Sequence, residues 1–166
     1  MQQSDVRSVL KRTTFLVADA DRAASFYEQV FGWSRWYDNC LPVRAGFPPA
    51  APDGALAKLT MLRARDPAIG MLAFMQYVVP PFDTGTLSGR TQVRNGEAVL
   101  VIETEEIEAV HERAREAGAS IVVPPSDWEA PAPGGGRIRM RTMTCFDPNG
   151  IFLEVFCRLP AQQSPA

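Results

Sequence analysis

The side chains best suited to chemistry are charged residues in or next to strand-like runs of the sequence. Glu154 lies between Phe152 and Phe156 on one face of such a run, and a carboxylate among aromatic side chains is suited to moving a proton. Three arginines alternate with other residues over 137–142, so they share one strand face, where guanidinium groups bind anions or stabilise an oxyanion. These residue types predict proton transfer or the binding of a small anion.

Histidine and cysteine, the usual transition-metal ligands, form no metal-binding pattern in this chain. The one histidine, His111, lies in a helical run, where a solvated position is expected. The three cysteines have no paired ligand spacing, and any one disulfide would leave a thiol over. We therefore expect reduced thiols and a cytoplasmic protein, the cysteines being Cys40, Cys145 and Cys157.

Composition predicts a globular protein of one ordinary domain or two small modules. The chain has 166 residues, of which 46% are hydrophobic and 22% are charged, and its formal net charge is -2. The basic residues form no block, so nucleic acid is not an expected partner. No run approaches the roughly 20 apolar residues of a membrane helix, and the N-terminus has no signal-peptide core, so no membrane association is expected.

The chain contains two similar halves, each predicted to be a βαβββ module. A β-rich run over 13–17 precedes an N-cap aspartate and a helix that ends at Gly32. The same order recurs about 85 positions later, with a strand over 98–102, a helix over 105–117 and Gly118 as its stop. The remaining strands are predicted at 33–37, 56–64, 70–78, 120–123, 137–145 and 151–158.

Two segments resemble signatures of the vicinal oxygen chelate superfamily, the group of glyoxalases, bleomycin-resistance proteins and dioxygenases. VADADRAASFYEQVFGW, at 17–33, is similar to the signature of the first module, and FDPNGIFLEVF, at 146–156, is similar to the closing turn and glutamate-bearing strand. The resemblance implies an α+β fold of two tandem βαβββ modules. Their curved mixed sheets would surround a cup, with the helices on the outer face.

The resemblance also implies the domain limits and the partners. It predicts one domain over 8–159, with modules at about 12–79 and 96–158 and flexible tails at 1–7 and 160–166. Members of the group bind small molecules and cover exposed sheet edges by pairing, so we expect a small-molecule ligand and a homodimer.

Alternation along each strand predicts which side chains face the cup. On the last strand the aliphatic residues suit the helix side, so Phe152 and Glu154 should face the cup. On the fourth strand we expect Phe74 and Gln76 to face it, and we place the arginine row in the cup or at its rim. The predicted substrate-binding residues are Arg12, Phe74, Gln76, Arg139, Arg141 and Phe152.

The family's metal ligands lie on the first and last strands of each module, and the resemblance carries them over to Arg12, Gln76, Glu97 and Glu154. Arginine stays protonated and offers only donors, so Arg12 cannot ligate a cation. With one histidine, the chain cannot build a two-histidine, one-carboxylate iron centre, which excludes extradiol dioxygenase chemistry within one chain. We expect no cofactor, and Arg12 disfavours a divalent metal held by Gln76, Glu97 and Glu154.

Arg12 and Glu97 occupy equivalent positions in the repeat, which leaves three roles open for them. They would pair in place of the missing ion and hold the sheets together, contact the substrate, or stand as independent solvated residues. Glu154 and Glu97 are the predicted catalytic residues. The alternative for Glu154 is a structural pair with an arginine.

Three functions follow from these residues and the resemblance. The first is a metal-independent lyase or isomerase, in which Glu154 moves a proton and an arginine stabilises an oxyanion. The second is a ligand-sequestering protein of the bleomycin-resistance kind, which needs an apolar groove but no acid or base. The third is a divalent-metal lyase of glyoxalase type. The inward-facing arginines predict an anionic, partly aromatic ligand.

Overall fold

The computed structural model describes residues 12–43, 54–66, 71–81, 87, 89–93, 96–131 and 137–160. The chain forms two compact units, Met1–Gly85 and Thr86–Ala166. The predicted flexible tails lie outside the described residues, apart from Pro160, and the predicted domain limits stay a prediction. Among the described residues, no helix is long and apolar enough to cross a membrane.

The first unit is a βαβββ module, as the repeat predicts. Its elements are β1 (Thr13–Leu16), α1 (Ala20–Phe31), β2 (Ser34–Pro42), β3 (Leu56–Arg63) and β4 (Leu72–Val79). The sheet has the order β1-β4-β3-β2, with β1 parallel to β4 and the other neighbours antiparallel. The Asp19 carboxylate accepts a hydrogen bond from the backbone N–H of Arg22 at 2.9 Å, and Gly32 ends the helix in a left-handed conformation.

The second unit repeats this architecture with β5 (Val99–Glu103), α2 (Ile107–Glu116), β6 (Ser120–Pro131), β7 (Arg137–Phe146) and β8 (Phe152–Arg158). Its sheet has the order β5-β8-β7-β6. The predicted α+β fold of two βαβββ modules is therefore confirmed. β6 runs well past the predicted end at 123, because register shifts between Ile121 and Ser126 let the strand continue through two prolines.

In each unit the helix covers one face of the sheet, which we call the helix face, and the opposite face is called the distal face. In the first unit, the rings of Tyr27 on α1 and Phe74 on β4 lie 5.1 Å apart, so Phe74 lies on the helix face. In the second unit, Arg141 on β7 donates to Glu108 on α2 at 2.9 Å. The buried side chains of Leu153 and Val155 share this helix face through the β7–β8 register.

A cluster of charged side chains holds α1 to β2 and β3. Arg35 donates to Glu28 and Asp21 of the helix and to Asp38 of its own strand, over 2.7 to 3.1 Å, and Lys58 contacts Asp21 and Asp38. Hydrogen bonds from Lys58 and then Arg35 lower the pKa of Asp21, and a hydrogen bond from Arg35 lowers the pKa of Asp38. One guanidinium therefore joins three carboxylates at the edge of the helix.

Arg35→Gln is expected to lower the free energy of unfolding at pH 7 by about 1 to 2 kcal/mol, since it removes several partly exposed pairs at once. Arg115→Gln, which breaks one exposed pair with Glu112, is the control and should cost well under 1 kcal/mol. The aspartate pKa values are lowered in the fold, so the contribution of the cluster is present above the unfolded value of about 3.9. It is lost as the pH falls through the lowered values.

Urea titrations of wild type and both variants at neutral and acidic pH test this prediction. The difference between wild type and Arg35→Gln should shrink in acid, where the aspartates become protonated. A difference that stays constant with pH would show that Arg35 acts through packing alone.

Candidate functional site

The distal face of the second sheet presents Glu154 between two phenylalanines. Strand β8 places Phe152, Glu154 and Phe156 on this face, as alternation predicts. Val101 of β5 and Thr144 of β7 are the direct cross-strand neighbours of Glu154. The carboxylate therefore stands in the middle of the sheet, with a methyl-bearing side chain on each side.

Apolar side chains on this face are open to solvent. Val99 and Val101 are 42% and 60% exposed, and Trp128, on β6, is 47% exposed. The indole N–H of Trp128 donates to the Thr142 hydroxyl at 2.7 Å, which fixes the ring on the distal face. Exposed apolar side chains gathered on one sheet face are typical of a binding surface.

Glu154 is half-buried and accepts no hydrogen bond and forms no ion pair with any residue that the structure describes. Carboxylates with little access to water are usually paired. Glu154 is thus available to a ligand, and the structural pair with an arginine that the sequence left open does not form within the described ranges.

Glu97 has a partner that the sequence did not predict. Arg90 forms an ion pair with Glu97, and its guanidinium carbon lies 5.4 Å from the centroid of the Phe146 ring. Phe146 in turn packs against Phe152, with ring centroids 5.0 Å apart. Arg90 lies in the linker before β5, where the sequence has no strand or helix pattern that would predict a buried position. Its side chain is nevertheless only 14% exposed. Glu97 is therefore held in an ion pair, which argues against a free catalytic base.

The predicted cup-facing placement of Phe74 and Gln76 was wrong. Phe74 is fully buried against α1, and the Gln76 side-chain oxygen accepts a hydrogen bond from the backbone N–H of Ala20 at 3.2 Å. Strand β4 is apolar on both faces, so alternation did not determine which residues face the helix. Ala73, Met75 and Tyr77 occupy the distal face instead.

The predicted placement of the arginine row was also wrong. Arg141 donates to Asp127 on β6 and to Glu108 on α2, and the hydrogen bond to Asp127 raises the pKa of Arg141. Arg139 lies on the helix face with Arg141, and its guanidinium is 3.7 Å from the carboxylate of Glu129. Acidic residues on the neighbouring strand and helix accommodate these arginines on the helix face, an arrangement that the β7 sequence alone does not reveal.

The strand registers identify Met75, not Gln76, as the repeat equivalent of Glu154. Glu154 pairs with Val101, which lies four residues after Glu97, and Met75 pairs with Leu16, which lies four residues after Arg12. The four equivalent positions thus hold Arg12, Met75, Glu97 and Glu154.

This donor set does not suit a transition metal. It contains a cation, a thioether, a carboxylate already paired with Arg90 and one unpaired carboxylate, Glu154. Within the described ranges, no three histidine, cysteine or acidic side chains converge as a metal site.

Arg12 lies on the distal face of the first sheet. Its guanidinium donates to the Thr14 hydroxyl at 3.2 Å and contacts the Met61 sulfur at 3.4 Å. Because Arg12 and Glu97 belong to different units, a pair between them stays a prediction.

The turn before β8 is held by a buried aspartate. The Asp147 carboxylate accepts hydrogen bonds from the backbone N–H groups of Asn149 and Ile151, at 2.9 and 2.8 Å. Gly150 has a φ of 81°, and a Cβ atom there would overlap the backbone carbonyl of Leu87. Burial and the nearby Asp147 raise the pKa of the Cys145 thiol to about 12, so this thiol is unreactive at neutral pH.

A protein-family model described as Glyoxalase/Bleomycin resistance protein/Dioxygenase superfamily matches residues 9–155. No curated protein matches the chain. A glyoxalase family protein from Bacillus cereus superimposes with a TM-score of 0.74 at 14% identity, covering 96% of this chain and 99% of its own.

Two further solved structures share the fold. A glyoxylase/bleomycin resistance protein/dioxygenase domain from Frankia sp. has a TM-score of 0.57 at 17% identity, covering 93% of this chain and 100% of its own. A fosfomycin resistance protein from Listeria monocytogenes, solved with Mn(II) and sulfate, has a TM-score of 0.52 at 13% identity, covering 92% and 93%. At these identities the structural likeness shows the fold alone.

Gly150→Ala is expected to destabilise the protein by about 2 to 4 kcal/mol, because a left-handed backbone and a close backbone contact both oppose a side chain. Gly118→Ala is the control: it has a φ of 85° with no atom within 4 Å, so only the backbone cost applies. Thermal and urea unfolding measure both. Equal losses in the two variants would show that the contact with Leu87 has no energetic weight.

Proposed function

Because the chain belongs to the glyoxalase/bleomycin resistance protein/dioxygenase superfamily, we propose that it binds a small molecule on the distal face of its second sheet without a transition metal. The observation that carries the proposal is Glu154, a carboxylate with no partner in the described part of the chain, on a face lined by Val101, Phe152 and Phe156. Apolar side chains supply contact area, and one polar group fixes orientation, which is the usual composition of a small-molecule site.

The proposed ligand has an aromatic or apolar body and at least one hydrogen-bond donor that Glu154 accepts. The anionic ligand predicted from the sequence depended partly on Arg139 and Arg141, which lie on the helix face. These two arginines therefore do not favour an anionic ligand on the distal face of the second sheet. A carboxylate acceptor favours an N–H, an O–H or a cationic group on the ligand.

Sequestration of the ligand fits this face better than turnover. A lyase or isomerase needs a donor to stabilise the oxyanion that forms when a proton is removed. On this face the described polar side chains of the strands that flank β8 include Thr142, Thr144 and Glu103. The guanidinium groups of Arg158 and Arg90 are already bound to Glu103 and Glu97. A metal-independent lyase or isomerase remains the second candidate, because Glu154 is placed to accept a proton.

A glyoxalase-type metal lyase is the weakest candidate. A glyoxalase-type metal would need ligands at the four positions that correspond to the family's metal ligands. At two of them Arg12 offers only hydrogen-bond donors and Met75 offers only a thioether. We therefore propose that the metal site of the family is degenerate in this chain.

A homodimer and a cytoplasmic location stay proposals. The strands β1, β2, β5 and β6 are edge strands in the order of each sheet, and Val99 and Val101 on β5 are exposed. Open edges with apolar side chains support pairing with a second chain.

Ligands from an aromatic small-molecule library should stabilise wild type in a thermal-shift screen and bind less tightly to variants of the second sheet. Phe156→Ala should weaken binding about ten- to a hundred-fold, because a phenylalanine side chain contributes roughly 1.5 to 3 kcal/mol when covered. Glu154→Gln should weaken a cationic or donor ligand, whereas Glu116→Gln, a matched change on an exposed position of α2, should not.

The same ligands distinguish the two candidate functions. Recovery of unchanged ligand after prolonged incubation, checked by mass spectrometry, supports sequestration, and conversion that is lost in Glu154→Gln supports the lyase or isomerase. Ligands that bind Phe156→Ala and Glu154→Gln as tightly as wild type would place the site elsewhere.

The purified protein should hold no stoichiometric zinc, nickel or iron by elemental analysis. Of the four positions that correspond to the family's metal ligands, only Glu154 offers a carboxylate that no described residue pairs with. Arg12→His combined with Glu97→His supplies two imidazoles and should create measurable affinity for these metals in isothermal titration. Arg12→Gln with Glu97→Gln is the control that removes the same charges without adding imidazole. One metal per wild-type chain would overturn the degenerate site.

A further inference from the structure

We propose that the distal face of the first sheet carries a binding site for an organic oxyanion, formed by Arg12, Arg63 and Trp36. The sequence predicts Arg12 as a substrate-binding residue but does not group it with Arg63 and Trp36. The inference goes beyond the proposed function, which concerns the other sheet.

The strand registers bring the two arginines to one end of the first sheet. Thr13 of β1 and Leu62 of β3 both pair with Leu72 of β4, so Arg12 and Arg63 flank the position of Met71. The backbone N–H of Thr13 donates to the Met71 carbonyl at 3.1 Å, which extends the register by that residue. Across two strand spacings the two Cα atoms lie about 10 Å apart.

Both side chains lie on the distal face. Arg12 contacts the sulfur of Met61. Met61 pairs with Ala73 of β4, so it lies on the distal face. Arg63 follows Met61 by two residues on the same strand and so points the same way. Arginine side chains are long enough for both guanidinium groups to reach one bound anion from this separation.

Trp36 orients the second guanidinium. The guanidinium carbon of Arg63 lies 4.2 Å from the centroid of the Trp36 ring, and this ring, at a bulge in β2, is 49% exposed. Stacking on an indole fixes the plane of a guanidinium while leaving its N–H edge free to donate. The indole also offers an exposed apolar surface to the body of a ligand.

The charges of these two arginines are not compensated within the described ranges. Neither Arg12 nor Arg63 has a carboxylate partner there, in contrast to the ion pairs of Arg35, Arg90, Arg113, Arg137, Arg139, Arg141 and Arg158. The Nε atom of Arg63 is buried and has no acceptor among the residues that the structure describes. Buried donors in folded proteins are nearly always bonded, so this atom points to an acceptor that a ligand supplies.

The chemistry of the three residues defines the ligand class. Two guanidinium groups prefer a carboxylate, phosphate or phosphonate, whose several oxygens accept more than one N–H. An aromatic or planar group next to the anion would pack on Trp36. Phenylphosphonate combines both features and is a suitable probe, with inorganic phosphate to test the anion alone and benzyl alcohol as the uncharged comparison.

The experiment is a nitrogen–proton NMR titration of the full chain that follows the Nε–H signals of arginine and the indole N–H of Trp36. Phenylphosphonate should shift the Arg63 and Trp36 signals in a saturable way, phosphate should shift the Arg63 signal more weakly, and benzyl alcohol should shift neither arginine. Arg63→Gln assigns the arginine signal.

Variants separate a specific site from general attraction. Arg63→Gln and Arg12→Gln should each weaken phenylphosphonate binding by about ten-fold or more, whereas Arg22→Gln, on the exposed surface of α1, should leave it unchanged. Arg63→Lys keeps the charge and loses the planar fork, so it should also weaken binding even if Arg63→Gln does not fold.

Absence of saturable shifts at millimolar phenylphosphonate, or equal losses in Arg22→Gln, would overturn the site. Neither result bears on the proposed function, which is tested through Glu154 and Phe156.

Discussion

Every side chain of a strand points to one of two faces, and in each sheet the helix occupies one of them. This constraint decides which residues are available for chemistry. In the second sheet, the buried Leu153 and Val155 take the helix face, so Phe152, Glu154 and Phe156 must take the other. A shift of one residue would turn the carboxylate toward α2 and move Leu153 and Val155 out of the core.

Strand β8 could be interpreted from the sequence because its two faces differ chemically. In FLEVF a charged residue alternates with aliphatic ones, and only one arrangement keeps the charge off the helix. Strand β4 has no such difference, since seven of its eight residues are apolar, and it is buried on both faces. The missing information was the position of α1, which the packing of Tyr27 on Phe74 and the hydrogen bond from Ala20 to Gln76 supply.

The arginines of β7 illustrate a second limit of sequence reasoning. A strand with three arginines on one face suggests a polar cavity, but the acidic residues that neutralise Arg141 lie on β6 and α2. These partners become neighbours only through tertiary structure. The same holds for Arg90, whose ion pair with Glu97 changes the chemistry of a residue that the resemblance assigns to a family ligand position. The fold was thus predictable from local patterns, whereas the pairing of charges was not.

The two units share one architecture and differ in what the distal face offers. The first presents Arg12 and Arg63 beside Trp36, and the second presents Glu154 among valines and phenylalanines. Each unit forms its core from its own strands and helix. The residues of a distal face are not the residues that hold the helix to the sheet, so the same fold is compatible with chemically different faces. One repeated module therefore presents a cationic surface in one half and an acidic, apolar surface in the other.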